Sequence, residues 1–97
     1  MAEYRITRWR DIPSMVTARD AGGTAKAGLP DRFQEAIDAI AMRVGAAGTD
    51  DYLAGWTHGD WLNRDGSAGE VAGQVAAELD RDWSAERLAE LLEAARP

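Results

Sequence analysis

The chain has no cysteine, one histidine, one phenylalanine and three prolines among its 97 residues. Without a thiol there can be no disulfide, no thiolate metal site and no cysteine nucleophile. A single imidazole rules out paired-histidine spacings such as H-E-x-x-H, so no metal is expected. The longest apolar run is only a few residues, far short of the roughly 20 that a membrane span requires. No basic stretch followed by an apolar run opens the chain, and Met1-Ala2-Glu3 leads straight into a strand-like segment. No signal peptide is therefore expected, no membrane partner, and the cytoplasm is the simplest compartment. Neither G-x-x-x-x-G-K nor G-x-G-x-x-G occurs, so no nucleotide cofactor is implied. Ser14, Ser67 and Ser84 lie outside any G-x-S-x-G elbow, which leaves no defensible catalytic triad.

What the chain does contain is the composition of a folded domain, 45% hydrophobic and 29% charged, and its length suits one domain over residues 1–97. Nineteen alanines leave few large apolar side chains. Four tryptophans partly compensate, each ring able to bury on the order of 200 Å². The net charge of −6 argues against nucleic acid as a partner, since that affinity comes from cations meeting phosphates. The mean hides an asymmetry. Through Arg32 there are six bases and four acids, net +2; from Phe33 onward there are five bases and thirteen acids, net −8. The basic end is mostly arginine, suited to bidentate pairing with carboxylate or phosphate. The plainer reading is that these cations pair with the chain's own acidic helices.

Tyr4-Arg5-Ile6-Thr7-Arg8-Trp9 is rich in aromatic and β-branched residues, and a strand is expected from Glu3 to Trp9. Arg10-Asp11-Ile12-Pro13 should interrupt the pairing, since Pro13 donates no backbone hydrogen bond. A second strand is expected from Ser14 to Arg19 and a third from Thr24 to Ala27, joined through Asp20-Ala21-Gly22-Gly23. Leu29-Pro30-Asp31 marks a helix start, and Phe33, Ile37, Ile40 and Val44 fall on one face of it. Thr49 is expected to cap a brief second helix that Gly55 closes. The segment Trp56 to Asn63 reads as extended, with a turn or a fourth strand. Ser67-Ala68-Gly69-Glu70 has the form of a capping box before Val71, Val75 and Leu79. Ser84 caps a last helix carrying Leu88, Leu91, Leu92 and Ala95. The class expected is α+β: three or four antiparallel strands with about four helices packed on one face.

Chemistry could reside at His58 with Asp50, Asp51 or Asp60, although a helix amino terminus already explains the two adjacent carboxylates. Tyr52, Trp56 and Trp61 could line a groove as binding anchors, or fold back as a minor core. Trp9 is either core-facing or an anchor beside the Arg10 cation. Arg5 and Arg8 complete the candidate partner- or ligand-binding set. The edge strands of a short meander can also pair across a two-fold axis, giving a homodimer.

Three motifs carry a resemblance. Tyr4-Arg5-Ile6-Thr7-Arg8-Trp9-Arg10-Asp11-Ile12-Pro13 resembles the Y-x-I-x-x-W-R-D-I-P pattern of the bacterial virulence factor domain family. Leu29-Pro30-Asp31-Arg32-Phe33-Gln34-Glu35-Ala36-Ile37-Asp38 is similar to its L-P-x-R-F-Q-x-A-I-D segment. Thr49-Asp50-Asp51-Tyr52-Leu53, with Trp56, Gly59 and Trp61, is similar to T-D-x-Y-L-x-x-W-x-x-G-x-W. The likeness runs over about residues 3 to 83. It implies a free-standing small protein, or a module that elsewhere joins larger proteins bearing helical repeats, and no known catalytic residues. The missing catalytic constellation, the aromatic cluster and the split charge make a non-enzymatic interaction module with a protein partner the first expectation. It also implies a link to folate- and corrinoid-dependent methyl transfer, in which this chain would serve as an accessory or ligand-binding subunit.

Overall fold

A computed structural model describes residues 1–95. It contains β1 (Ala2–Trp9), β2 (Ile12–Asp20), β3 (Gly23–Gly28), α1 (Asp31–Arg43), α2 (Asp50–Ala54), β4 (Trp56–His58), β5 (Leu62–Arg64), α3 (Ala68–Asp82) and α4 (Ala85–Ala94). The class is α+β, as the residue pattern implies. The sheet is antiparallel in the order β3-β2-β1-β4, with β5 also paired to β1. Five strands stand where three or four are expected, because the last extended segment is split in two.

That split is a bulge. Thr7, Arg8 and Trp9 pair with His58, Thr57 and Trp56, whereas Tyr4, Glu3 and Ala2 pair with Leu62, Asn63 and Arg64. Arg5 and Ile6 therefore face three residues, Gly59, Asp60 and Trp61, and one of the three is extra. The Gly59 N–H still donates to the Ile6 carbonyl at 2.9 Å. A second irregularity lies in β2. Pairing shifts between Thr7 with Met15 and Arg8 with Pro13, so Ser14 is the unpaired residue. The proline thus falls where the ladder is already broken, and β2 begins at Ile12 rather than Ser14. The turn before it needs only Arg10 and Asp11, with Arg10 at φ 54°, an uncommon value for a residue with a Cβ.

Period-two alternation separates the two faces of the sheet. Tyr4, Ile6, Val16, Ala18, Ala25 and Ala27 belong to or pack against the hydrophobic core. Across this layer lies α3, running over β1, β2 and β3 with Ala68, Val71, Ala72, Val75 and Leu79 buried. The small alanines of β2 and β3 let the helix sit close. Phe33, Ile37, Ile40 and Ala41 are the buried side of α1, which packs against α4. The Cα extents of 43 × 28 × 17 Å fit two layers.

The helix caps largely follow the sequence. Ser67 accepts from the Glu70 N–H at 3.2 Å and donates to the Glu70 carboxylate, and Ser84 accepts from the Arg87 N–H at 3.1 Å. Thr49 departs from expectation: its hydroxyl turns back to donate to the Ala46 carbonyl at 2.6 Å and does not cap α2. A side chain not foreseen as a cap closes the α3 start. Asp20, at the end of β2, accepts from the Ala68 N–H at 2.7 Å and from the Gly22 N–H at 2.7 Å. Among the described residues, no helix is long and apolar enough to cross a membrane.

Candidate functional site

Six of the seven candidate residues fall into two groups. The first gathers at the β1–β2 hairpin. Trp9 is completely buried, so of its two readings the structure gives the core-facing one. Its ring centroid lies 5.7 Å from that of Tyr52, which meets Trp56 edge-on at 6.1 Å. The Trp9 Nε1 donates to the Tyr52 carbonyl at 2.8 Å, and the Arg10 guanidinium sits 4.9 Å from the Trp9 ring centroid. Tyr52 and Trp56 are half-buried against the core. The hairpin is further tied to the α2 end by the Arg10 N–H, which donates to the Gly55 carbonyl at 2.7 Å. Beside this group a cleft of about 100 Å³ is lined by Trp9, Arg10, Asp11, Ile12, Ile40 and Leu91. That is well under the roughly 300 Å³ at which small-molecule sites begin.

The second group stands on the side of the sheet away from α3. Register places three cross-strand rows there: Thr24, Arg19, Glu3 and Asn63; Lys26, Thr17 and Arg5; Gly28, Met15, Thr7 and His58. All are exposed or half-buried. Trp61 joins this face because of the bulge. Continuing the β4 register would set Asp60 opposite Arg5, whereas the β5 register sets Trp61 there. The Arg5 guanidinium lies 4.7 Å and that of Arg19 3.7 Å from the Trp61 ring centroid. These are cation–π distances. Trp61 is absent from the core cluster that takes in Trp9, Tyr52 and Trp56.

Arg8 joins neither group of ring contacts; its Nη1 lies beside Gly59. Arg19, missed as a candidate by sequence reasoning, is the cation nearest Trp61, and only the strand register reveals it.

The acidic helices take up part of the basic end. Arg32 pairs with Asp80 and donates to the Trp83 carbonyl at 3.0 Å. From β5, Arg64 makes two hydrogen bonds to Glu78 of α3, at 2.7 and 3.0 Å. Beside that guanidinium the Glu78 carboxyl is held below its ordinary value. Asp20 is lowered as well, first by the Ala68 N–H and then by that of Gly22. Arg19 pairs with Glu3 at 3.3 Å on the open face and not with the acidic helices. Among the described residues Arg5, Arg8, Arg10 and Lys26 have no ion pair, and the Arg5 Nε is buried without a hydrogen-bond partner.

His58 is exposed, with its Nδ1 3.0 Å from the Thr7 hydroxyl, and Asp50, Asp51 and Asp60 are not among its hydrogen-bond partners. Among the described residues no group of three or more histidine, aspartate or glutamate side chains is placed to hold a metal ion.

No curated protein and no solved structure matches the chain. A family model described as "Virulence factor" matches residues 7–92, spanning all nine elements except the first residues of β1 and the end of α4, and the chain belongs to the virulence factor family.

Proposed function

We propose that the protein is a non-enzymatic interaction module that binds another protein through the open face of its sheet. The observation that supports this most is the position of Trp61. A large aromatic ring stands outside the core, between strands whose other side chains on that face are mostly polar, and rigid rings of this kind make effective binding anchors. His58, engaged only with a threonine hydroxyl, is dispensable on this reading. Purification of the tagged protein from its native host, followed by mass spectrometry, tests it. A stoichiometric partner lost in Trp61→Ala and kept in His58→Gln is expected. Loss of function in His58→Gln with unchanged partner binding would overturn the reading in favour of a small enzyme.

One observation favours a second reading, an accessory or ligand-binding subunit for an anionic one-carbon cofactor such as a folate. The Arg5 guanidinium, which has no ion pair among the described residues, lies 4.7 Å from the Trp61 ring centroid, so a ligand carrying a carboxylate and a flat ring would meet a cation beside an aromatic surface. Arg8 and Arg10, also in the candidate binding set, lie elsewhere, beside Gly59 and over the Trp9 ring. Titrating tetrahydrofolate against tryptophan fluorescence decides the matter, and a flat curve to millimolar ligand excludes direct binding. A homodimer would use the unpaired edge of β3, since the opposite edge is broken by the bulge. Light scattering that returns a monomer at all working concentrations removes that arrangement.

A further inference from the structure

We propose that the partner segment docking on the open sheet face is acidic, meeting Arg5, Arg19 and Lys26 with carboxylates and Trp61 with its apolar part; this rests on the interaction-module reading above. The sign of the charge is the first argument. The three rows on this face carry three cations against one anion, Glu3, in a chain whose net charge is −6. The helical layer behind it therefore carries the acidic excess. An antiparallel sheet with one wet face needs only polar side chains there, and charge opposite to the rest of the molecule is more than solubility requires.

Spacing is the second argument. Lys26 and Arg5 stand on either side of Thr17, two strand spacings or about 10 Å apart, and Arg19 lies one pleat repeat along β2 from Thr17, about 7 Å. An extended segment presents successive same-side carboxylates at about 7 Å. The third argument is the state of the arginines. Ring contact with Trp61 holds both guanidiniums in place, so little rotamer freedom remains to be lost on binding. Arg5 has no ion pair among the described residues, and the half-exposed Arg19–Glu3 pair at 3.3 Å is weak enough to exchange for an incoming carboxylate. Three cations on a chain of net −6 provide neither the number of phosphate contacts nor the long-range field of a nucleic-acid surface.

The experiment titrates an octaglutamate peptide into the full chain and follows amide chemical shifts at low and moderate salt. Shifts confined to β1, β2, β3 and the bulge are expected, with affinity falling as salt rises. The double variant Arg5→Gln/Arg19→Gln should weaken binding by about tenfold, as the loss of charge-assisted contacts predicts. Lys26→Gln, at an exposed position away from the core, provides a milder substitution if the double variant is poorly folded. Arg43→Gln, the same charge change at the exposed end of α1, should leave binding unchanged. No binding, equal weakening by Arg43→Gln, or tighter binding of an oligothymidylate would each overturn the proposal. The two readings fail separately. A native partner retained equally by the wild type and the double variant sinks the acidic-segment assignment and leaves the interaction module standing, whereas neither partner nor peptide binding sinks both.

Discussion

The indole nitrogen of Trp9 donates to the backbone carbonyl of Tyr52, 43 positions further along the chain, at 2.8 Å. This bond, with that from the Arg10 N–H to the Gly55 carbonyl, fastens the short helix α2 to the first hairpin. A five-residue helix has too few internal bonds to hold itself, so its placement depends on these attachments. Trp9→Phe removes the donor and leaves a void in a fully buried site. The expected loss is about 2–3 kcal/mol, from the cavity and the abandoned carbonyl together. Urea unfolding checks it, and a change under ~0.5 kcal/mol would show that the indole is not the fastening.

Gly55 is where the same ring leaves no room. A Cβ built on it would stand 2.6 Å from the Trp9 Nε1 and 2.9 Å from its Cε2. The ring is buried and hydrogen-bonded, so it cannot swing aside cheaply. Gly55→Ala is expected to destabilise the fold by about 1–3 kcal/mol through overpacking, despite the usual gain from reducing chain entropy. The control is Gly69→Ala in the first turn of α3, where nothing lies within 4 Å of the added methyl. A thermal melt in which both variants behave alike would refute the steric account.

Much of this arrangement is legible in the sequence. The aromatic and β-branched run from Tyr4 to Trp9, the glycines after Asp20 and the four-residue spacing of Val71, Val75 and Leu79 are local signals, and the elements follow them closely. The bulge at Gly59–Trp61 was not readable, because an extra residue shows only against the strand it faces. That hidden residue sets Trp61 opposite Arg5 and within reach of Arg19, outside the core cluster that takes in Tyr52 and Trp56, with which sequence proximity groups it. Thr49 failed as a cap because a backward bond to Ala46 competes for its hydroxyl, a choice local sequence leaves open. Asp20 caps α3 from 48 positions away, beyond any window of periodicity.

Asp20 and Glu78 set the response to acid. Both carboxyls are lowered in the folded chain, Asp20 first by the Ala68 N–H and Glu78 first by the Arg64 guanidinium. A lowered folded value means that the unfolded chain takes up the proton first as pH falls. The stabilisation is therefore complete above the ordinary values of 3.8 and 4.5 and is lost as pH drops through the lower folded values. Stability measured by urea unfolding should be flat from neutral pH to about 5 and decline below it. The slope of that decline should be shallower in Asp20→Asn and in Glu78→Gln. An unchanged slope in both variants would place the acid sensitivity elsewhere.

Trp61 and Trp9 should respond to truncation in opposite ways if the sheet face is the working surface. Trp61 lies off the core, and its partners are two guanidiniums on a solvent-facing sheet. Cation–π contacts at such exposed sites contribute about 0.5–1 kcal/mol each. Trp61→Ala is therefore expected to cost the fold only about 1 kcal/mol, less than the loss at Trp9, while weakening a partner complex by a hot-spot-sized ~2 kcal/mol. Trp56→Ala, half-buried against the core beside Tyr52, should do the reverse and cost more in stability than in binding. Paired urea and binding titrations on the two variants separate these roles. A large stability loss at Trp61 with unaltered binding would make the ring a brace for Arg5 and Arg19, and the open face an ordinary wet side of the sheet.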